Sequence, residues 1–151
     1  MNDRYLFRAK RIDNGEFVIG SLVLSDDADE EYKAIIIPSV NSNMFTRESY
    51  NEDLGFENWY RVESSTICQC TGLKDKNGNL IWENDVVGFW DTYSTENGRA
   101  EMDCIGKVVW DDETISFQVT NRLSAESYEV LDECSVIGNI FDNPELLESE
   151  E

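Results

Sequence analysis

Turn chemistry constrains this chain before anything else does. Asp13-Asn14-Gly15, the run Lys74-Asp75-Lys76-Asn77-Gly78-Asn79 and Asp111-Asp112-Glu113 each stand between runs rich in β-branched and aromatic residues. Asn and Gly accept positive φ at little cost, so short polar clusters of this kind fold strands back on themselves. A chain punctuated this way builds antiparallel hairpins. Few stretches read as helical, and no glycine-rich phosphate-binding motif occurs, which argues against a nucleotide-binding βαβ fold.

The strand pattern follows from alternation between these turns. Residues 4–24 read as a hairpin, with Tyr5, Phe7 and Ala9 alternating with Leu6, Arg8 and Lys10, and with Gly20 interrupting the return strand. Residues 26–31 (DDADEE) repel one another and read as a loop. They lack the spaced oxygen ligands and turn glycine of a calcium site. Residues 32–38 form a short strand stopped by Pro38. A short helix is expected over 44–54 and a strand over 58–62. Further strands are expected at 67–73, 80–82 and 86–90. A polar loop over 91–98 then leads to a long strand over 102–110, with a bulge or barrel bend at Gly106.

Beyond the turn at 111–113, a strand over 115–120, one helical turn over 123–127 and short strands at 129–131 and 135–141 complete the set. Asn143 is placed to cap a short helix with Pro144 at its first position. Asp75-x-Asn77-Gly78-Asn79 is no EF-hand: Gly78 would fall at loop position four and Val86 at twelve. Short strands at close spacing with internal Gly point to a small closed or nearly closed barrel, which also removes exposed sheet edges.

Charge decides which functions remain. The chain of 151 residues holds 12 Lys and Arg against 32 Asp and Glu, a formal net charge of −20. Binding to phosphate backbones or anionic membranes draws on cations, so both are disfavoured. No run of about 18 apolar residues is present for a membrane helix, and no secretory leader is visible, so a cytoplasmic location is expected. His is absent, which removes the Ser-His-Asp and Cys-His arrangements. A paired-carboxylate mechanism stays open in form only, because acids are spread along the whole chain.

Two local clusters carry competing readings. Arg4, Arg8, Lys10 and Arg11 make up a third of the basic residues. A solvated strand face pairing with nearby carboxylates is the stronger reading, and a small anion-binding or acid-partner patch is the alternative. Cys68 and Cys70 share a strand face and could join Cys104 and Cys134 in a four-sulfur site. Zinc pairs ordinarily use C-x2-4-C spacing, often with His, so buried free thiols are the stronger reading and no cofactor or metal is assigned.

The C-terminal half carries motifs that act in combination. Thr71-Gly72-Leu73-Lys74-Asp75-Lys76-Asn77-Gly78 runs into Leu80-Ile81-Trp82-Glu83-Asn84-Asp85-Val86-Val87. Gly106-Lys107-Val108-Val109-Trp110 and Val136-Ile137-Gly138-Asn139-Ile140-Phe141-Asp142-Asn143-Pro144-Glu145-Leu146-Leu147 follow. This set resembles the YopX family of bacteriophage and prophage proteins, and the opening FRAKRIDNGEFVIG resembles that family's first hairpin. Two departures stand out: Asn84 where Gly is usual, which Asn's tolerance of positive φ can absorb, and Cys70 where an aromatic is common.

The resemblance implies a mostly β fold with minor α+β character. An N-terminal β-rich region over residues 1–66, available for oligomerisation, would precede an SH3-like small barrel over 67–147 and a frayed acidic tail at 148–151. It implies a phage or prophage source and brings no catalytic residues. Thr71, Gly72, Leu73, Asp75, Asn77, Gly78, Ile81, Asp85, Gly106, Trp110, Gly138, Asn139 and Pro144 are the motif positions, expected to be structural.

Function then rests on four readings. The leading one is a non-enzymatic accessory protein acting through protein contacts, with itself or with an unidentified host or phage protein. Trp59, Tyr60, Trp90 and Tyr93 are its candidate anchors, although tryptophans in a small β domain are more often core. The alternatives are an acidic DNA mimic that blocks a host nucleic-acid-binding protein, a directly nucleic-acid-binding barrel, and an enzyme, in falling order.

Overall fold

The structure is a computed structural model and describes residues 3–26, 29, 33–40, 43–46, 54–120, 127–129 and 133–148. The chain divides into two compact units, Met1–Gln69 and Cys70–Glu151. It is mostly β, as the sequence pattern requires, and every strand pairing is antiparallel.

In the first unit, a single 3-10 turn (Asp3–Tyr5) leads into β1 (Phe7–Lys10), which pairs with β2 (Phe17–Leu24). Lys10 stands opposite Phe17 and Phe7 opposite Gly20, so the expected first hairpin forms, and β2 runs unbroken through Gly20. The next strand, β3 (Ala34–Pro38), pairs with β2, and β6 (Tyr60–Arg61) pairs with β3. Between them, β4 (Met44–Thr46) and β5 (Leu54–Phe56) pair with each other. This corrects the helix expected over 44–54. Local sequence shows no sustained period there, and strands of three residues are too short to display an alternation. Residues 47–53, and most of the acidic loop expected at 26–31, lie outside the described residues.

One face of this sheet is a core. Ala9, Ala34, Ile36 and Val62 are buried there, with Val18, Leu22 and Ile67 packed against them. Truncating a fully buried residue such as Ile36 to Ala costs about 2–5 kcal/mol, through lost transfer energy plus the cavity left behind. A second 3-10 turn (Ser64–Thr66) closes this core, where Thr66 Oγ1 accepts the Lys10 N–H at 2.8 Å and donates to the Glu63 carbonyl at 2.7 Å.

The strand β7 (Cys68–Lys74) begins in the first unit, where Phe7 pairs with Gln69 and Arg8 with Cys68. It ends in the second unit, where Cys70 pairs with Trp82 and Lys74 with Leu80 of β8 (Leu80–Trp82). The second unit continues with β9 (Asp85–Thr95), β10 (Gly98–Asp111), β11 (Ser116–Thr120), β12 (Ser127–Glu129) and β13 (Ser135–Asn139). Their order across the sheet is β12-β11-β10-β9-β13. No pairing joins β12 to β13, so among the described residues this sheet is open, and the closed barrel expected from the strand spacing is not formed. Ile81, Val87, Val108, Val119 and Cys134 form its core. A short helix, α1 (Glu145–Glu148), follows.

Two local expectations change. Residues 91–98 are no loop: β9 and β10 stay paired from Lys107↔Val86 to Gly98↔Thr95, and the turn sits at 96–97. The register passes through Gly106 without a bulge. Glycine is needed there because a Cβ would lie 2.8 Å from the Thr120 carbonyl oxygen and closer still to the Val119 side chain. The irregular step lies instead in β13, between Val136 and Gly138. Asn143 stands two residues ahead of α1. Its Oδ1 accepts from the Asn139 N–H at 3.3 Å, while the Asn143 carbonyl receives the Leu146 N–H at 3.1 Å. The helical turn expected at 123–127 lies outside the described residues except for Ser127, which is in β12.

Candidate functional site

Strand register sorts the first sheet into two faces, because residues directly opposite one another point the same way. Ala9 and Val18 face the core, as do Leu22 and Ile36. The other face therefore carries Arg8 and Lys10 from β1, Phe17, Ile19, Ser21 and Val23 from β2, Ile35 and Ile37 from β3, Arg61 from β6 and, opposite Arg8, the buried Cys68 of β7. Most of these are apolar on a face that the core does not use. Ile19 and Val23 are each 44% exposed.

Two aromatics lie beside this face, Phe56 at the end of β5 and Trp59 in the link to β6. Phe56 is 46% exposed and Trp59 is 50% exposed. With Val23, Ser25, Ile35 and Ile37 they line an open cavity of about 340 Å³. That volume lies near the lower end of the range for ligand pockets, roughly 300–1,000 Å³. Among the described lining residues, Ser25 alone carries a hydroxyl and none is charged. Asn43 holds the two aromatics in place from behind. It is buried, accepts the Asn58 N–H at Oδ1, and donates from Nδ2 to the carbonyls of Pro38 and Asn58 at 3.3 and 3.0 Å.

The charge on this face runs against the rest of the chain. Of these ten register positions among the described residues, three are Lys or Arg and none is Asp or Glu. Arg8 and Lys10 lie over the Phe17 ring, at 4.5 and 5.2 Å from its centroid. Arg61 stands directly opposite Ile35, beside the cavity. The first unit as a whole has 7 basic and 13 acidic residues; the second has 5 and 19, a formal charge of −14.

The sequence-derived anchors divide on inspection. Trp59 lines the cavity. Tyr60 faces the core side opposite Ile36, with the Arg11 guanidinium 3.9 Å from its ring centroid. Arg11 also pairs with Asp13 at 2.5 Å, which raises its own pKa and lowers that of Asp13, chiefly through their hydrogen bond. Trp90 is exposed on β9, and Tyr93 lies on the same strand opposite Ala100, with a side chain outside the described set. The sequence reading missed Val23, Ile35, Ile37 and Phe56. Their signal was present: β2 and β3 carry apolar residues at both parities, the mark of a strand with two apolar faces.

The motif residues hold turns and close contacts. Thr71 Oγ1 donates to the Ile81 carbonyl at 2.7 Å and accepts the Leu73 N–H at 3.1 Å, beside Gly72 in β7. Buried Asp75 accepts the Asn77 and Asn79 N–H groups at Oδ1, both at 2.9 Å, around Gly78. Burial pushes its pKa up, and N–H donors from Val136, Asn79 and Asn77 outweigh this and hold it below the ordinary value. Buried Asp85 Oδ2 accepts the Trp82 N–H at 2.8 Å. Between them, Asn84 adopts φ +69°, the positive value its replacement of Gly requires.

Trp110 in β10, the strand that also holds Gly106, meets Phe117 edge-on with ring centroids 5.1 Å apart. Asn139, next to Gly138, accepts the Phe141 and Asp142 N–H groups at 3.0 and 2.9 Å. Pro144 precedes α1. All four cysteines are buried and free, and among the described residues no group of three or more His, Cys, Asp or Glu side chains is arranged to hold a metal. Among the described residues, no helix is long and apolar enough to cross a membrane.

These turns are the ones that the motif comparison rests on. The family model described as YopX protein matches residues 6–148. The chain belongs to the YopX family. Among solved structures, protein EF1440 from Enterococcus faecalis is similar, with a TM-score of 0.57 and 24% identity over 93% of this chain and 96% of that one. That likeness is one of fold alone. No curated protein matches the chain.

Proposed function

We propose that this YopX-family chain is a phage- or prophage-encoded accessory protein that acts by binding another protein, without catalysis, in the cytoplasm of its bacterial host. The exposed apolar face of the first sheet carries the reading. A contiguous apolar surface that stays uncovered in a folded domain usually marks a place where a partner sits. Trp59 supplies a large, rigid side chain lining the cavity, the residue type that dominates binding hot spots. The cavity floor is aliphatic and offers shape without a converging set of titratable groups.

The test compares the intact chain with two face variants, Trp59→Ala and Val23→Asp. Each is immobilised and exposed to extract from lysogenic cells, with far-UV circular dichroism confirming that both variants fold. The reading expects a specific captured protein that both variants lose. Absence of any specific capture by the native chain sinks it. Capture that survives both substitutions removes this face from the role.

A further inference from the structure

We infer that the outer part of the β9–β10 hairpin, Trp90 to Asp103, takes a basic, extended segment of a partner protein as an added strand along β9, with a Lys or Arg of that segment over Trp90. This site lies in the second unit. It goes beyond the apolar face of the first unit and does not rest on it.

The hairpin outruns its neighbours. β13 pairs with β9 only from Asp85 to Gly88, and β11 pairs with β10 only from Lys107 to Asp111. From Trp90↔Asp103 to Thr95↔Gly98 the two strands pair with each other, and among the described residues no third strand joins them. At about 3.4 Å per residue, β9 offers an edge of about 20 Å between Trp90 and Thr95. Trp90, residues 95–99 and Asp103 are exposed. A two-stranded ribbon is marginal in water, and a third strand supplies the ladder it lacks. Long edges are commonly guarded by Pro, Lys or a bulge. Residues 90–103 hold no Pro and no Lys, and the register through them is continuous.

Charge selects the occupant. Asp91, Glu96, Glu101 and Asp103 stand against Arg99 in this segment, a formal charge of −3. A strand with Lys or Arg at alternate positions complements it, and complementary potentials steer encounter and reject partners of the wrong sign. A second copy of the chain would bring the same acids to the same edge, and like charges directly opposite are destabilising. A nucleic-acid strand would meet carboxylates where its phosphates need cations.

Trp90 selects the contact. It is 63% exposed and stands directly opposite Asp103. Residues so paired share one face of the ribbon, with Cβ atoms about 5 Å apart. A cation laid on the indole is attracted to its ring, and Asp103 adds a carboxylate on the same side.

The measurement is fluorescence polarisation with the full chain and three labelled peptides. The first alternates Lys or Arg with Val or Thr. The second has Glu in place of each base. The third keeps the bases and is N-methylated throughout its backbone. It matches the first in charge and cannot donate to a ladder, so it separates strand addition from general attraction to a chain of net charge −20. The first peptide is expected to bind at least about tenfold more tightly than the other two. Its affinity should fall about tenfold in Trp90→Ala and in Asp103→Lys. Amide hydrogen exchange should slow within residues 90–95 when it is added. Circular dichroism and urea unfolding verify both variants.

Five results overturn the inference: no binding of the basic peptide, equal binding of the acidic one, binding that survives backbone methylation, binding that survives both substitutions, or slowed exchange confined to residues outside 90–95. Self-association by sedimentation that Trp90→Ala abolishes would also overturn it, by giving the edge to a second copy.

Discussion

Asp75 Oδ2 accepts the backbone N–H of Val136 at 2.9 Å, across 61 residues of chain. The same carboxylate receives the Asn77 and Asn79 N–H groups at its other oxygen. One buried side chain thus shapes the turn between β7 and β8 and fastens it to β13. The Lys76 N–H on the Cys134 carbonyl, at 3.0 Å, makes a second tie between the same segments. Replacing Asp75 by Ala leaves three backbone donors without that acceptor. Hydrogen bonds to a charged group contribute about 1.5–3 kcal/mol, so Asp75→Ala is expected to lose at least that much in urea unfolding. An unchanged midpoint would show that the turn holds without it.

The same residue gives a pH signature. Its folded pKa is depressed below the ordinary 3.8. A depressed carboxylate stabilises the fold fully above its unfolded value, and that contribution is lost as pH falls through the folded value. The stability gap between the native chain and Asp75→Asn should therefore be constant near neutrality and shrink below about pH 4. Paired thermal melts from neutral pH downward measure it. The paired design cancels the titration of the other acids. A gap that widens on acidification would reverse the assigned sign.

Net charge makes a third expectation. With −20 on 151 residues, and 19 acids in the second unit, self-repulsion acts on the folded state. Salt shortens the Debye length from about 30 Å at 0.01 M to about 8 Å at 0.15 M. Adding sodium chloride over that range should raise the melting temperature, because repulsion between separated acids outweighs the few attractive pairs. A fall on adding salt would mean that ion pairs dominate instead.

Close packing at Gly106 gives a fourth. A methyl group there meets the Val119 side chain and the Thr120 carbonyl, both in the strand alongside. Overpacking of this kind costs about 1–3 kcal/mol. Gly106→Ala should unfold at correspondingly lower urea. A neutral result would show that β10 and β11 can part by a few tenths of an ångström.

How much of this was legible follows from where the forces lie. The turns at Asp13-Asn14-Gly15 and Lys74–Asn79 could be read because their backbone preferences are local. The positive φ of Asn84 was legible for the same reason. The length of the β9–β10 hairpin was not. Beyond Phe89 and Cys104 the two strands pair only with each other, and polar residues such as Asp91, Ser94 and Glu96 carry no core pattern. The β4–β5 pairing was hidden because its strands are three residues each, too short to show an alternation. At the candidate site, Trp59 stood out by residue type. Arg61 and Ile35 did not, because only the register shows that they share a face.

Backbone strain supplies the last expectation. Ile115 holds φ +53° in the turn between β10 and β11 and is 75% exposed. Positive φ crowds a β-branched side chain against its own backbone, and the left-handed region costs an ordinary L-residue about 1–2 kcal/mol. The surrounding turn enforces the conformation: Asp111 Oδ1 accepts the Glu113 N–H at 2.9 Å, and the Thr114 hydroxyl donates to Asp111 Oδ2 at 3.1 Å. Asn accepts the same φ with less strain and removes an exposed apolar group. Ile115→Asn should therefore stabilise the chain by about 1 kcal/mol in urea unfolding. Loss of stability would show that the isoleucine side chain makes a contact worth more than the strain it carries.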